Sequence, residues 1–164
     1  MNIAAQPPVQ ADQTIYLKDY QKPSFLVESI HLDIQVYDDH TLVDSTMVMK
    51  RQATGALVFL GRDLELKSIQ LNGQVLSAAQ YQLDSEQLVI TDAPDEVIVQ
   101  TQVIIHPESN TQLEGLYKAG DLFVTQNEPE GFRKITFYPD RPDVLSVFTT
   151  RVEADKKYPV LLAN

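Results

Sequence analysis

Residues 30–36 read Ile30-His31-Leu32-Asp33-Ile34-Gln35-Val36. Four aliphatic side chains alternate with three polar ones, so one face of an extended segment is apolar and the other is wet. Asp38-Asp39-His40 follows as a polar turn, and Thr41 to Arg51 reads as the returning strand, with Leu42, Thr46 and Val48 taken as its alternating positions. Working outward, Ala56 to Leu60 is a short apolar run consistent with a strand buried on both faces. Leu66 to Leu71 meets Asn72-Gly73 and continues as Gln74-Val75-Leu76. Asn-Gly is the preferred two-residue hairpin turn because both positions take positive φ.

Tyr81-Gln82-Leu83 and Leu88-Val89-Ile90 flank Asp84-Ser85-Glu86 as a second hairpin. Val97 to Ile105 is a β-branched run stopped by Pro107, and Leu122–Thr125, Lys134–Tyr138 and Val147–Val152 predict further strands. At most one helical turn is expected, at Asp143 to Val147. Many short strands with frequent turns predict an all-β fold, a two-sheet antiparallel β-sandwich. Residues 1–19, rich in Gln, Ala and Pro at their start, read as a flexible leader, and 20–164 as one β-domain.

The chain has 164 residues, the size of one domain, and 43% hydrophobic residues, enough for a core. Its net charge is −10, with 23 acidic against 13 basic residues. That balance argues against a nucleic-acid or anionic-membrane partner, which requires a basic surface. No apolar run approaches the ~20 residues of a spanning helix, and the start lacks the charged and apolar regions of a secretory signal. Cysteine is absent, which removes disulfides, thiolate metal sites and a cysteine nucleophile. The simplest expected location is the cytoplasm.

His31, His40 and His106 share no ligand spacing and read as surface histidines. Asp33, Asp38, Asp39 and Asp44 lack the pattern of a calcium loop and read as a solvated acidic face. Nucleophile-elbow and phosphate-loop motifs are absent. One segment differs in composition: Thr125-Gln126-Asn127-Glu128-Pro129-Glu130-Gly131-Phe132-Arg133, continuing to Asp140-Arg141-Pro142-Asp143. On an extended chain Gln126 and Glu128 would face one side, about 6.8 Å apart. Glu128 and Glu130 are open to three readings. They are the acid and base of a glycosidase, a binding site for a cation or amine, or a charged rim balanced by Arg133, Lys134 and Arg141.

These residues also carry a resemblance. Thr125-Gln126-x-Glu128, Phe132-Arg133, Asp140-Arg141-Pro142-Asp143 and Phe148-Thr149-Thr150 resemble the aminopeptidase N family of zinc metallopeptidases. The upstream Asn110, Leu113, Gly115, Leu116 and Tyr117 resemble the same family's N-x-x-L-x-G-h-Y element. The resemblance implies a saddle-like, β-rich N-terminal domain packed on a thermolysin-like catalytic domain of the same chain. It implies zinc in the full-length enzyme, held by an H-E-x-x-H motif that does not occur here. The expected protein removes N-terminal residues from peptides, and this stretch alone is expected to be inactive and to bind no metal. By the same resemblance, Glu128 holds the free α-amine of the peptide substrate and Gln126 contributes to the first subsite. Arg133 and Asp140 are expected to be structural supports. The alternative from another class is a stand-alone β-sandwich module for a carbohydrate or protein ligand, against which the lack of Trp counts.

Overall fold

A computed structural model describes residues 16–128 and 130–163. The expected leader falls mostly on residues outside that range. Of the part described, Leu17–Asp19 forms a single exposed 3-10 turn.

Eleven strands follow in chain order. They are β1 (Phe25–Val36), β2 (Thr41–Arg51), β3 (Leu57–Leu60), β4 (Glu65–Leu71), β5 (Gln74–Val75), β6 (Gln82–Leu83), β7 (Gln87–Ile90), β8 (Glu96–Ile105), β9 (Gly115–Ala119), β10 (Leu122–Gln126) and β11 (Val147–Ala154). They build a six-stranded sheet in the order β11-β1-β2-β8-β4-β5, a three-stranded sheet β3-β7-β6, and the separate hairpin β9-β10. One hydrophobic cluster joins the two larger sheets. Ile30, Leu32, Val43, Met47, Ile69, Val99 and Val103 supply it from the first, and Leu57, Phe59, Leu88 and Ile90 from the second. The all-β sandwich read from the sequence is therefore the fold. Every pairing is antiparallel except that of β11, which runs parallel to β1 from Ser29↔Val147 to Val36↔Ala154.

In β1 the buried side changes parity. Phe25 and Val27 face inward, a bulge follows between Val27 and Ser29, and from there Ile30 and Leu32 face inward. One extra residue on a bulged strand reverses which side chains point to the core. The four-residue connection after β1 then sets even residues of β1 opposite odd residues of β2, for example Ile30↔Met47 and Ile34↔Val43. The buried side of β2 is thus Thr41, Val43, Ser45, Met47 and Met49, and the expected Leu42, Thr46 and Val48 set lies on the outer face.

Two further expectations are corrected. β3 is buried on one face only, because Val58 is 39% exposed between Leu57 and Phe59. Lys134–Tyr138 is not a strand. A 3-10 turn at Phe132–Lys134 leads into a run buried on every side, which touches a sheet through one bridge, Leu60↔Tyr138. Local bonds satisfy this backbone: Ile135 N–H donates to Phe132 O at 2.9 Å and Thr136 N–H to the same oxygen at 3.3 Å. The turn at Asp143 closes with Val144 N–H on Arg141 O at 3.1 Å and does not become helical.

Candidate functional site

The segment singled out by composition begins where β10 ends. Gln126, the last residue of β10, pairs in register with Gly115 at the start of β9. Asn110 shapes the approach to β9. Its side-chain amide donates to Glu114 O at 2.7 Å and Leu116 O at 2.9 Å, while its Oδ1 accepts from Gln112 N–H at 3.2 Å. Leu113 and Gly115 take positive φ, 60° and 68°, to turn the chain into the strand.

Because β10 stops at Gln126, the strand spacing expected for Gln126 and Glu128 does not apply. The two are nevertheless neighbours: Gln126 Nε2 donates to the Glu128 carbonyl at 3.2 Å. That bond uses one of the two amide N–H donors and leaves the Gln126 amide oxygen as an acceptor. Both side chains are exposed. The turn that carries Glu128 is closed by Gly131 N–H donating to Asn127 O at 3.1 Å.

The charges around this turn are mostly spoken for. Glu130 pairs with Arg133 Nη2 at 3.0 Å, Asp140 with Arg133 Nε at 2.9 Å, and Asp143 with Arg141 Nη2 at 2.7 Å. Glu128 is the acidic side chain of this segment with no ion pair among the described residues. Its supposed partner in a glycosidase pair, Glu130, is committed to Arg133, as the charged-rim reading expects of Glu130 but not of Glu128.

Arg133 and Asp140 are the supports expected of them. Arg133 sends Nε and its own backbone N–H to Asp140 Oδ2, and Nη2 to the Asp140 carbonyl at 3.0 Å. Sequence reasoning missed the next anchor, Lys134, whose side chain is 4% exposed and reaches Asp63 Oδ2 at 2.6 Å. A lysine placed in a predicted strand gives no hint that its ammonium is buried. Arg62 N–H adds a bond to Arg133 O at 2.9 Å, so the turn between β3 and β4 braces the segment from behind. Arg141 and Asp143 tie down the chain ahead of β1. Arg141 Nη2 donates to Gln21 O at 2.8 Å, and Tyr20 donates its hydroxyl to Asp143 at 2.8 Å. The Arg141 guanidinium holds the Asp143 carboxyl below the usual carboxylate range, and Asp143 pushes the Tyr20 phenol up.

No metal site forms among the described residues: no three His, Asp or Glu side chains converge as ligands. His40 Nδ1 meets Asp39 at 2.7 Å with its ring stacked on Tyr37, and His106 Nε2 meets Glu65 at 2.9 Å. The four aspartates read as an acidic face are individually partnered. Asp33 pairs with Arg151, Asp38 with Lys157 and Asp39 with His40, while Asp44 accepts from Gln102. The residues present do not fit a zinc ion. A cavity of about 290 Å³ is lined by Asp63, His106, Asn110, Gln112 and Lys134 among others, and includes neither Gln126 nor Glu128.

An all-β domain presenting a glutamine and an unpaired glutamate on a braced turn is the class of structure defined so far. The chain belongs to the Peptidase M1 N-terminal domain family, whose model matches residues 18–164. It is 44% identical to aminopeptidase N of Caulobacter vibrioides over 156 residues, covering 93% of this chain and 18% of that protein. Against aminopeptidase N of Escherichia coli it is 40% identical over 158 residues, covering 94% of this chain and 18% of that protein. Among solved structures, Legionella pneumophila aminopeptidase A in complex with aspartic acid superposes with a TM-score of 0.84 at 28% identity, covering 90% of this chain and 18% of the other. The chain therefore spans about 18% of the length of the relatives it matches.

Proposed function

We propose that this domain serves a zinc-dependent aminopeptidase by holding the free α-ammonium of a peptide substrate on Glu128 and Gln126. The observation that carries the reading is the unpaired Glu128 carboxylate on a turn whose other acidic groups are neutralised. An α-ammonium is a compact cation with three N–H donors, and its natural acceptors are a carboxylate and an amide oxygen. Gln126 has its amide nitrogen engaged by Glu128 O and its oxygen available, the polarity an ammonium requires.

The hydrolytic chemistry belongs to a catalytic domain of the same polypeptide, which supplies the zinc and its ligands. Exposed apolar side chains at Leu122, Leu145, Val147, Phe148, Val160, Leu161 and Leu162 support packing against such a domain. Within this chain the braced turn fixes where the amine sits and therefore which peptide bond is presented. A peptide without a free amine leaves the Glu128 carboxylate desolvated and unpaired, which disfavours it. The test is the ratio of hydrolysis of an aminoacyl anilide to that of its N-acetylated form by the complete enzyme. Glu128→Gln is expected to narrow that ratio; a ratio equal to the parent's overturns the reading.

A further inference from the structure

Gly131, beside the Glu128 turn, has no room for a side chain. A Cβ on Gly131 would lie 2.4 Å from Gln126 O, 2.9 Å from Asn127 Cα and 3.0 Å from Gly115 N. Gly131 has φ −90° and ψ −13°, a conformation any residue adopts, so backbone freedom is not why glycine is needed here. The requirement is space, and the space lies against the backbone that carries Gln126 and Glu128.

The two sides of this contact are unequally held. Behind Gly131, the 3-10 turn is fixed by Arg133 on Asp140, by buried Lys134 on Asp63 and by Arg62 N–H on Arg133 O. Ahead of it, Gln126 ends β10 in register with Gly115, while Asn127 and Glu128 lie past the strand and are exposed. A side chain at 131 therefore displaces the 127–128 backbone, past the end of β10, and with it Glu128 relative to Gln126. It also strains the Gly131 N–H to Asn127 O bond that closes the turn.

Resting on the α-amine reading, we propose that Gly131 is a positioning residue: the absence of its side chain sets where Gln126 and Glu128 meet the substrate amine. An ammonium held equally in the ground state and the transition state shows its loss in KM, with kcat little changed. Displacement of Glu128 and removal of its charge are then two routes to one defect, so their effects do not add.

The experiment is a double-mutant cycle in the complete enzyme, reading kcat and KM for an aminoacyl anilide together with Tm. Gly131→Ala is expected to lower kcat/KM about tenfold, mainly through KM. In the Glu128→Gln background it is expected to cost less than about twofold more. Gly120→Ala is the control. It takes φ 62° but has nothing within 4 Å of its Cβ, so it lowers Tm and leaves KM unchanged. A Gly131→Ala enzyme with the parent's KM, or one whose loss is undiminished in the Glu128→Gln background, overturns the proposal. So does one that fails to fold while Gly120→Ala folds, because the contact is then a requirement of the fold. If Glu128→Gln itself leaves kcat/KM unchanged, the α-amine reading fails and takes the proposal with it. That outcome is distinct from the three in which Gly131 alone fails.

Discussion

Arg133 wraps Asp140. Its backbone N–H and Nε both donate to Asp140 Oδ2, at 3.1 and 2.9 Å, and Nη2 donates to the Asp140 carbonyl. The side chains are 13% and 14% exposed. Removing the Asp140 carboxylate leaves the Arg133 guanidinium with the more exposed Glu130 as its acidic partner and takes away two bonds to a charged group, which costs about 3 kcal/mol. Asp140→Ala is thus expected to lower Tm by about 6–12 °C for a domain of this size. Arg141→Ala breaks a more exposed pair and is expected to cost less than about 1 kcal/mol. Thermal denaturation of the two variants measures the difference, and equal shifts would remove the Arg133–Asp140 pair as the main brace.

Folding stability is expected to depend on pH near neutrality through His106. Its Nε2 faces Glu65 Oε1 and its Nδ1 faces the Asp39 carbonyl, two acceptors that only the imidazolium satisfies together. Glu65, then the Asp39 carbonyl, raise the His106 pKa, and Glu108 adds to them. Lys67 and His40 complete the charged surroundings through Glu65 and Asp39. A raised folded pKa gives stability that is fully present below about pH 6.5 and is lost as pH rises through the higher folded value. The contact is exposed, so the change is below about 1 kcal/mol. Tm measured from about pH 5.5 to 8.5 should decline slightly in the parent and flatten in His106→Gln. A parallel decline in both removes His106 as its source.

Gly73 tests glycine in the opposite sense to Gly131. Asn72 and Gly73 take φ 49° and 79°, and nothing lies within 4 Å of a Cβ on Gly73. Asn72 also exchanges two bonds with Ile98, giving its N–H to Ile98 O and accepting Ile98 N–H on Oδ1, both at 2.8 Å. Gly73→Ala is expected to cost about 1 kcal/mol through backbone strain alone. Thermal denaturation should show a fall of about 2–4 °C, and an unchanged Tm would mean the turn relaxes freely.

That hairpin was readable because a dipeptide with one conformational preference sits between two apolar runs. Residues 30–36 of β1 are readable from alternation, β2 from the polar turn before it and β8 from its β-branched run, whereas the start of β1 at Phe25 lies across a bulge that breaks the alternation. The facing of β2 is not readable. Leu42 and Val48 on one side compete with Val43, Met47 and Met49 on the other, and register against β1 decides between them. Thr41 and Ser45 on the inner side disguise it further; the Ser45 hydroxyl is satisfied inside the core by that of Thr101 on β8, at 2.8 Å. Lys134–Tyr138 imitates a strand because Ile135 and Phe137 alternate with Lys134 and Thr136, yet the polar pair is buried too and a 3-10 turn stands where a ladder would begin. Gln126 and Glu128 came from a resemblance in motif, whereas the contacts of Gly131 and Lys134 depend on β9 and the β3–β4 turn, distant in sequence.

The chain prepared by itself is expected to self-associate. β11 pairs only with β1, so its other edge is unpaired among the described residues, and Val147 and Phe148 on it are exposed. Leu145, Leu161 and Leu162 add exposed apolar surface. An open strand edge beside apolar surface templates pairing with a second copy. Sedimentation should show concentration-dependent dimers or larger species, and Val147→Lys should reduce them. A monomer at every concentration would count against an accessible edge.

The ranking of Glu128 and Gln126 separates a binding role from a scaffolding one. Glu128→Gln keeps the shape of the side chain and removes its charge. Losing one member of a desolvated charge pair typically costs about 2–5 kcal/mol, and an ammonium shared with other acceptors falls in the lower half. About 3 kcal/mol corresponds to roughly a hundredfold loss in kcat/KM for an aminoacyl anilide in the complete enzyme. Gln126→Ala removes a neutral acceptor and a bond to the Glu128 carbonyl, so about tenfold is expected. Both side chains are exposed and neither belongs to the Arg133–Asp140–Lys134–Asp63 brace, so Tm and zinc content should match the parent. A scaffolding role predicts the reverse pattern, with Tm lowered and turnover normal in the enzyme that remains folded. The rank order carries the argument, because a merely steric subsite would suffer more from the truncation at 126 than from the isosteric change at 128. A Glu128→Gln enzyme within about threefold of the parent, alongside a Gln126→Ala enzyme that loses more, would move the ammonium off the carboxylate and leave Glu128 a surface residue.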